Sequence, residues 1–314
     1  IADALAQMQV EHVFAIVSMH NMPILDAINR LGKTRIIDVR HEQAGTHAAD
    51  GYARASGKLG VMIASTGPGT SNTVTGLYEA QYGSSRVLVI TGQAETVFYG
   101  KGLAYVHEAE QQVPMLASVC RRVESPRAPS QLGPALRTVL TDMYTGRGAP
   151  GALEIPIDIQ YAENAAVEIS LPGNDQFAPD EKKLDLVIDA LQQSQRRILL
   201  IGGGVIAAGA HAEVQALAEQ LQIPVLTTVD GRGALPEDHP LCVGNYYNSA
   251  GMYQAIADAD LTLAIGTKFA VGVDGQFAAQ TPPGKLVQID IDGNMVGRTH
   301  HAHIGLVADA RLAL

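Results

Sequence analysis

Short apolar segments alternate with longer helix-like segments along this chain, and this alternation limits the folds that it can adopt. Strands joined by crossover helices give such a pattern, and they form a parallel sheet with helices on both faces. In the first half the predicted strands are 10–16, 35–39, 61–64, 87–90 and 152–155, with helices at 23–31 and 131–144. In the second half they are 198–201, 225–228, 261–265 and 287–291, with a helix at 212–221.

Between the two halves the pattern fades, which indicates a domain boundary. Residues 166–180 contain Pro172-Gly173-Asn174 and Ala178-Pro179, which are typical of a linker. We therefore predict an α/β protein with two doubly wound parallel-sheet domains, at 1–165 and 181–314. The 314 residues, of which 46% are apolar, suffice for two cores, since a domain takes roughly 100–200 residues.

The segment Arg40-His41-Glu42-Gln43 places an acid where a predicted strand gives way to a predicted helix. In open α/β sheets, ligands bind beyond the carboxyl ends of the strands, so Glu42 is a candidate site residue. An acid in a first helical turn can also simply complement the helix dipole. The neighbouring motif favours a site.

A glycine-rich turn follows the next predicted strand and reaches the same edge of the sheet. It reads Ser65-Thr66-Gly67-Pro68-Gly69-Thr70-Ser71-Asn72 and leads into a helix predicted at about 72–82. Its glycines would let backbone approach a ligand closely, and Ser71 or Asn72 could cap the helix. A tight turn alone would explain Gly-x-Gly about as well as a phosphate site does.

With these motifs the chain resembles the thiamine diphosphate-dependent enzymes of the acetohydroxyacid (acetolactate) synthase and 2-oxoacid decarboxylase superfamily. Residues 1–165 resemble that family's pyrimidine-binding domain, and 181–314 resemble its central domain. The motifs follow the family's order: Arg40-His41-Glu42-Gln43, Asp50-Gly51-Tyr52-Ala53-Arg54, Gly67-Pro68-Gly69-Thr70-Ser71-Asn72, Ile90-Thr91-Gly92-Gln93, Ile201-Gly202-Gly203-Gly204-Val205-Ile206, 231–240 and Gln288-Ile289-Asp290-Ile291-Asp292.

The resemblance implies thiamine diphosphate as the cofactor and gives several residues a role. In the family, the acid that matches Glu42 hydrogen-bonds a ring nitrogen of the aminopyrimidine and helps to activate the thiazolium carbon. Pro68 and Asn72 would line the pyrimidine pocket. Gln93 is a weaker candidate for binding the cofactor, because a polar side chain after a strand can instead bond nearby backbone.

Two departures from the synthase pattern introduce histidines. Where the synthases have Tyr-Pro-Gly-Gly-Ala, the segment 16–23 has side chains in place of glycines, and His20 or Asn21 could face the reacting carbon as a proton donor or hydrogen-bond partner. His20 could equally cap or line a loop beside Pro23. Where the synthases have Phe-Gln-Glu, the chain has Val106-His107-Glu108, so His107 could replace a cofactor-side Gln or lie on a loop without a role.

The family anchors the diphosphate through a divalent metal, normally Mg²⁺, in a third domain marked by Gly-Asp-Gly and a later Asn. Here Val273-Asp274-Gly275 and Asp292-Gly293-Asn294 lie inside the central-domain pattern and lack that spacing. We predict no metal ligand in this chain, and we expect the first two-thirds of a longer enzyme, or one half of a split one.

The central domain departs from the relatives that bind flavin. Gly202-Gly203-Gly204 fits a nucleotide site or a close helix–sheet contact. Residues 265–269 followed by Ala270-Val271-Gly272 stand where those relatives have Gly-x-Arg-Phe-Asp-Asp, so the Arg and the acids on the flavin side are missing. An empty or nucleotide-occupied domain is therefore favoured over one that binds FAD.

Composition argues against other classes of partner. Lys and Arg number 22 against 32 Asp and Glu, a net charge of −10, which disfavours nucleic acid. No apolar run reaches the roughly 18–20 residues of a membrane span. Cys120 and Cys242 fall in different predicted domains, so we expect no disulfide and a cytoplasmic protein.

The run 299–303 contains three histidines but no usual ligand spacing, so packed or solvated histidines are favoured there over a metal site.

The predicted reaction is thiamine diphosphate-dependent decarboxylation of a 2-oxo acid, with pyruvate first, followed by acetolactate synthase-like carboligation. Simple decarboxylation and acetyl transfer are alternatives. A non-catalytic nucleotide- or partner-binding subunit of a split enzyme is a third. The resemblance also implies a homo-oligomer, either a dimer or a tetramer.

Overall fold

The computed structural model describes residues 1–163, 167–173, 177–245, 250–269 and 283–314. The chain folds into two compact units, Ile1–Asn174 and Asp175–Leu314. Within the described residues, each unit contains one six-stranded sheet whose strand pairs are all parallel. The predicted fold class, two doubly wound parallel-sheet domains, is confirmed.

The first unit has the strand order β2-β1-β3-β4-β6-β5. Its strands are β1 His12–Ala15, β2 Arg35–Asp38, β3 Gly60–Ala64, β4 Val87–Gln93, β5 Arg122–Glu124 and β6 Gly151–Pro156. Its helices are α1 Ala2–Gln7, α2 Met22–Leu31, α3 Glu42–Ser56, α4 Pro68–Gly83, α5 Gln112–Ala117, α6 Leu132–Tyr144 and α7 Ile157–Tyr161, with a 3-10 turn at Pro129–Gln131.

The direction of winding reverses between β1 and β3, which are neighbours in this sheet. Beyond the carboxyl ends of these two strands the connecting segments diverge to opposite faces and leave a crevice, the usual ligand site of such sheets. The glycine-rich turn that follows β3 lies at this edge, and so does the segment that follows β1.

Both faces of the first sheet are covered, because alternate residues of each strand enter different cores. Val61 and Ile63 of β3 pack into one cluster, and Met62 and Ala64 pack into another on the opposite face. Strands buried on both faces read as continuous apolar runs, which is why β3 was recognisable in the sequence.

The second unit has the strand order β12-β11-β10-β7-β8-β9, with a register shift between Val225 and Leu226. Its strands are β7 Arg197–Ile201, β8 Val225–Thr227, β9 Cys242–Asn245, β10 Leu261–Ile265, β11 Lys285–Asp290 and β12 Ile304–Val307. Its helices are α8 Glu181–Gln193, α9 Gly203–Ala208, α10 His211–Leu221, α11 Ala250–Asp258 and α12 Ala310–Ala313.

The start of α4 differs from the prediction. We placed this helix at about 72–82, whereas it begins at Pro68. Gly67 is the cap residue with φ of +59°, and Pro68 occupies the first helical position, where its missing N–H costs nothing. Ser71 and Asn72 therefore lie inside the helix and do not cap it.

The predicted linker 166–180 is described at 167–173 and 177–180, and neither piece contains a helix or strand. Helix α8 then begins directly after Asp180, whose side chain accepts a hydrogen bond of 2.9 Å from the backbone N–H of Lys183.

Candidate functional site

Glu42 stands at the first position of α3, as the strand-to-helix pattern predicts. The residue before it, His41, has extended backbone, and its Nδ1 accepts a hydrogen bond of 3.2 Å from the N–H of Gln43. This cap directs the chain out of the sheet after β2 and fixes where the helix begins. The Glu42 side chain is half-buried.

Asn72 on α4 holds the carboxylate of Glu42. Its Nδ2 donates a hydrogen bond of 3.0 Å to Oε2 of Glu42. Oε1 lies beside Gly69, where an added Cβ would come within 3.2 Å of it and within 2.8 Å of the Ser65 Cβ. Among the hydrogen bonds of the described residues, Oε1 accepts none, so it keeps its capacity for a further donor.

Helices α3 and α4 pack closely one turn beyond this contact. Gly76 faces Thr46, and an added Cβ at Gly76 would lie 2.6 Å from the Cβ of Thr46. Glu42 and Thr46 are four residues apart on α3, as are Asn72 and Gly76 on α4. The close helix crossing therefore sets the distance across which Asn72 reaches Glu42.

The turn before α4 is fixed by a residue of another helix, Gln112 of α5. The N–H of Gly67 donates a hydrogen bond of 2.8 Å to Oε1 of Gln112. Pro68 is exposed, and its carbonyl accepts a hydrogen bond of 2.9 Å from the Ser71 hydroxyl. A side chain at position 67 would collide with the His107 carbonyl, at 2.5 Å from the added Cβ. The positive φ and this close approach together require glycine there.

His20 follows β1 and is 1% exposed. Neither of its ring nitrogens has a hydrogen-bond partner among the described residues. Burial, and then the nearby His107, lowers the pKa of His20. A buried polar group without a partner is costly and calls for an explanation, of which a ligand is one.

Asn21, the alternative to His20, bonds local backbone at both ends of its amide. Its Nδ2 donates a hydrogen bond of 3.0 Å to the carbonyl of Ile16, and its Oδ1 accepts one of 2.9 Å from the N–H of Ser18. These two bonds shape the turn before α2, so Asn21 has a structural role in the turn, whereas the buried ring of His20 has no such bonds.

His107 lies near His20 on the segment after β4. Their ring centroids are 6.1 Å apart, and the ring of Tyr105 is 6.0 Å from that of His20. His107 is exposed and has φ of +60°. Burial, and then the carboxylates of Glu95 and Asp158, raises the pKa of Tyr105.

Gln93 is completely buried at the end of β4, and the protein engages both ends of its amide. Its Nε2 donates to Oε2 of Glu154 at 3.0 Å and to the carbonyl of Ala109 at 3.2 Å. Its Oε1 accepts from the N–H of Ala94 at 2.8 Å. Gln93 thus bonds backbone and a buried side chain of the protein, as in the alternative to cofactor binding.

Two buried polar residues in this region were not found from the sequence. Glu154 lies in β6 and is 0% exposed, and Gln112, the first residue of α5, is 1% exposed. An acid inside the otherwise apolar strand 152–155 is a signal that could have revealed Glu154. Nothing in the local pattern marks Gln112, because its partners are distant in sequence.

In the second unit the glycines after β7 contact the chain itself. Added Cβ atoms at Gly202 and Gly204 would lie 2.3 Å from the Gly266 carbonyl oxygen and 2.6 Å from the Gly266 Cα. These glycines allow two backbone segments to touch, the second of the two uses considered for this motif. Residues 270–275, which include both Ala270-Val271-Gly272 and Val273-Asp274-Gly275, lie outside the described residues.

The histidines near residue 300 have packing and backbone partners. Burial lowers the pKa of His300, whose ring packs edge-on against Phe269. His303 Nδ1 accepts a hydrogen bond of 3.1 Å from the N–H of Leu286. Across the part of the chain that the structure describes, no group of three or more His, Cys, Asp or Glu could hold a metal ion. No described helix has the length and hydropathy to cross a membrane.

In comparisons with known proteins, both units match domains of the same enzyme family. Residues 1–117 match the family model for the N-terminal TPP binding domain of thiamine pyrophosphate enzymes, and 184–314 match the model for their central domain. The chain is 33% identical over 305 residues to a probable acetolactate synthase large subunit of Methanocaldococcus jannaschii, a match that covers 93% of this chain and 50% of that protein.

Two further relatives are named for different activities, one as a synthase and one as a decarboxylase. The chain is 33% identical over 333 residues to an acetolactate synthase of Arthrospira platensis, covering 99% of this chain and 56% of that protein. It is also 33% identical over 316 residues to a probable 2-ketoarginine decarboxylase of Pseudomonas aeruginosa, covering 99% and 55%. The chain spans about half the length of the curated relatives it matches.

Proposed function

The chain belongs to the thiamine pyrophosphate enzyme family, whose N-terminal and central domains it carries, and we propose that it contributes the pyrimidine-binding part of a site that decarboxylates a 2-oxo acid. We assign pyrimidine binding to residues 1–165, the linker to 166–180 and the central domain to 181–314. The favoured substrate is pyruvate, and the favoured outcome is carboligation of its two-carbon fragment to a second carbonyl compound.

The observation that carries this proposal is the carboxylate of Glu42. It is half-buried at a helix start, Asn72 holds Oε2, and Oε1 keeps an acceptor position. A carboxylate fixed in this way can share a proton with a weakly basic ring nitrogen. Gly69 supports the same role, because its missing side chain leaves the space that Oε1 occupies.

Thiamine diphosphate, when bound, supplies the stabilised carbanion chemistry that decarboxylation of a 2-oxo acid needs. The residues of this chain fit its pyrimidine end. Glu42 would accept or hold a proton at Oε1, Asn72 would keep the carboxylate oriented, and Pro68 would present an apolar edge next to them.

His20 is the proposed proton donor of the site. Its two ring nitrogens are buried and have no hydrogen-bond partner in the part of the chain that the structure describes, and the lowered pKa means that the neutral ring predominates near neutral pH. A neutral imidazole offers one N–H and one acceptor nitrogen. We place His107 as a second group on the same side, since its ring lies 6.1 Å from that of His20. Gln93 would act only indirectly, through the buried bonds that it makes.

The names of the relatives support two branches of this chemistry. The acetolactate synthases favour carboligation, and the probable 2-ketoarginine decarboxylase favours simple decarboxylation. Acetyl transfer is a further version. His20 would serve each version, because a proton donor can protonate the carbanion-like carbon or assist addition to a carbonyl.

We also propose the remaining family properties for the complete protein: Mg²⁺ that binds the diphosphate outside this chain, a homodimer or homotetramer, and a cytoplasmic location. A flavin in the second unit is disfavoured, because Gly202 and Gly204 already meet the backbone of Gly266.

The competing proposal is a non-catalytic subunit that keeps the fold without turnover. Glu42→Gln in the complete protein separates the two, because the amide keeps the shape but cannot act as a base. We expect turnover of pyruvate to fall by about 10²–10⁴-fold, while Glu79→Gln, an exposed change on α4, leaves turnover unchanged. Undiminished turnover in Glu42→Gln would exclude the carboxylate as the activating group.

A further inference from the structure

Glu154 joins the two ends of the segment 94–111, which we call the site loop. Gln93 directly precedes this loop and Gln112 directly follows it. Both side chains donate their Nε2 to the same atom, Oε2 of Glu154, at 3.0 Å and 2.7 Å. One buried carboxylate oxygen therefore closes the loop at its base.

Gln112 also reaches the turn before α4. While its Nε2 donates to Glu154 and to the carbonyl of Gly92, at 3.0 Å, its Oε1 accepts from the N–H of Gly67 at 2.8 Å and from the Thr66 hydroxyl at 3.2 Å. Both N–H groups of this amide donate and its oxygen accepts from the N–H of Gly67, so its orientation is fixed.

The site loop in turn lies against the same groups. The Thr66 hydroxyl oxygen also lies 3.3 Å from the carbonyl oxygen of His107, an alternative acceptor for its one proton, and Gly67 leaves the space for that carbonyl. Tyr105 and His107 bring their rings next to His20. Displacement of the loop base would move these groups together.

We infer that Glu154 and Gln112 are positioning residues that fix the site loop and the Gly67 turn relative to each other. This inference rests on the proposed function for the importance of Asn72 and His20, but the closure of the loop is a property of the fold alone. Neither residue needs to touch substrate or cofactor for this role.

The partners of Glu154 allow a graded test. Its Oε1 accepts from the Ser125 hydroxyl at 2.6 Å and lies 3.6 Å from an Arg127 nitrogen. A hydroxyl can donate or accept, so Glu154→Gln can turn its NH₂ toward Ser125 and still accept from both glutamines. Glu154→Leu has similar bulk and accepts nothing. The conservative variant should therefore keep the loop closed, and the apolar one should open it.

Trypsin reports directly on the loop, because Lys101 is exposed and is the only Lys or Arg between residues 94 and 111. In the complete protein, we expect the fragment that ends at Lys101 to form about tenfold faster in Glu154→Leu and in Gln112→Met, since charge-assisted bonds at the loop base are lost. Glu154→Gln should stay within about threefold of the unchanged protein. The matched control is Glu124→Gln in the adjacent β5, whose carboxylate is bonded to Arg122 at 2.6 Å.

Kinetics provide the second readout. Because the Gly67 turn leads into the helix that carries Asn72, Gln112→Met should raise the half-saturating thiamine diphosphate concentration about tenfold, with a smaller loss of kcat at saturating cofactor. Glu154→Gln should leave both values close to those of the unchanged protein.

The outcomes distinguish the two proposals. If Gln112→Met folds with an unchanged melting temperature and Lys101 is cut at the original rate, the positioning role is wrong. Equal defects in Glu154→Gln and Glu154→Leu would also contradict it. If the cleavage rates respond as expected while Glu42→Gln keeps full activity, the loop closure stands and the proposed function fails.

Discussion

Gly76 sets how closely α3 and α4 pack, and its replacement by alanine gives a quantitative test of the site geometry. An added Cβ would lie 2.6 Å from the Cβ and 2.8 Å from the Cγ2 of Thr46, and 3.1 Å from the backbone N of His47. Carbon atoms prefer a separation of about 3.5–4.0 Å, so the helices must separate locally by roughly 1 Å. Overpacking of this kind costs about 1–3 kcal/mol.

Gly51→Ala is the matched control. Gly51 lies in the same helix pair, on α3, and an added Cβ there meets nothing within 4 Å. Both changes gain about 0.5–1 kcal/mol from the lower backbone entropy of alanine in a helix. The difference between the two variants therefore isolates the overpacking cost, and Gly76→Ala should be less stable than Gly51→Ala by about 1–3 kcal/mol.

Thermal or denaturant unfolding followed by circular dichroism measures this difference. The same separation would lengthen the 3.0 Å bond between Asn72 and Glu42 beyond hydrogen-bonding range, so Gly76→Ala should also weaken thiamine diphosphate binding, and Gly51→Ala should not. A Gly76→Ala protein as stable as Gly51→Ala would show that α3 and α4 do not pack as closely as described.

Two further predictions concern ionisable groups. The pKa of His20 lies below its ordinary value of 6.5, so as the pH falls below that value the unfolded chain takes up a proton that the folded chain resists, and stability decreases. When the pH is lowered from about 7.5 to about 5, the unfolding free energy of His20→Gln should therefore decrease less than that of the unchanged protein. Equal decreases in the two proteins would mean that the pKa of His20 is not lowered. Burial raises the pKa of the Cys120 thiol to about 12, so iodoacetamide should label the half-buried Cys242 in the native protein and Cys120 only after unfolding. Equal labelling of both in the native protein would contradict the burial of Cys120.

The central strands were predictable because their burial on both faces leaves continuous apolar runs. Leu261–Ile265 was predicted with its observed bounds, and Gly60–Ala64 to within a residue. The edge strands β5, β9 and β12 were missed. Arg122–Glu124 shows the reason, since this strand has three residues, two of them charged, and its side chains are exposed or half-buried.

The candidate site was predictable where a local transition marks it. The place of Glu42 follows from the end of one strand and the start of one helix, and the structure has both. The start of α4 was misplaced because Ser71 and Asn72 were read as caps, although Gly67-Pro68 was the stronger start signal. Glu154 and Gln112 are 42 residues apart in the chain, and hydrogen bonds over such a separation leave no periodic trace in sequence.

Closure of the site loop at its base has a consequence for how relatives of this protein can diversify. Since Gln93, Gln112 and Glu154 hold the base, the residues between them can change in kind and number while β4 and β6 keep their pairing. The entropy of closing a longer loop rises slowly, by only ~0.6 kcal/mol for each doubling of length. The loop can thus vary in sequence and length over a constant scaffold, without redesign of the sheet.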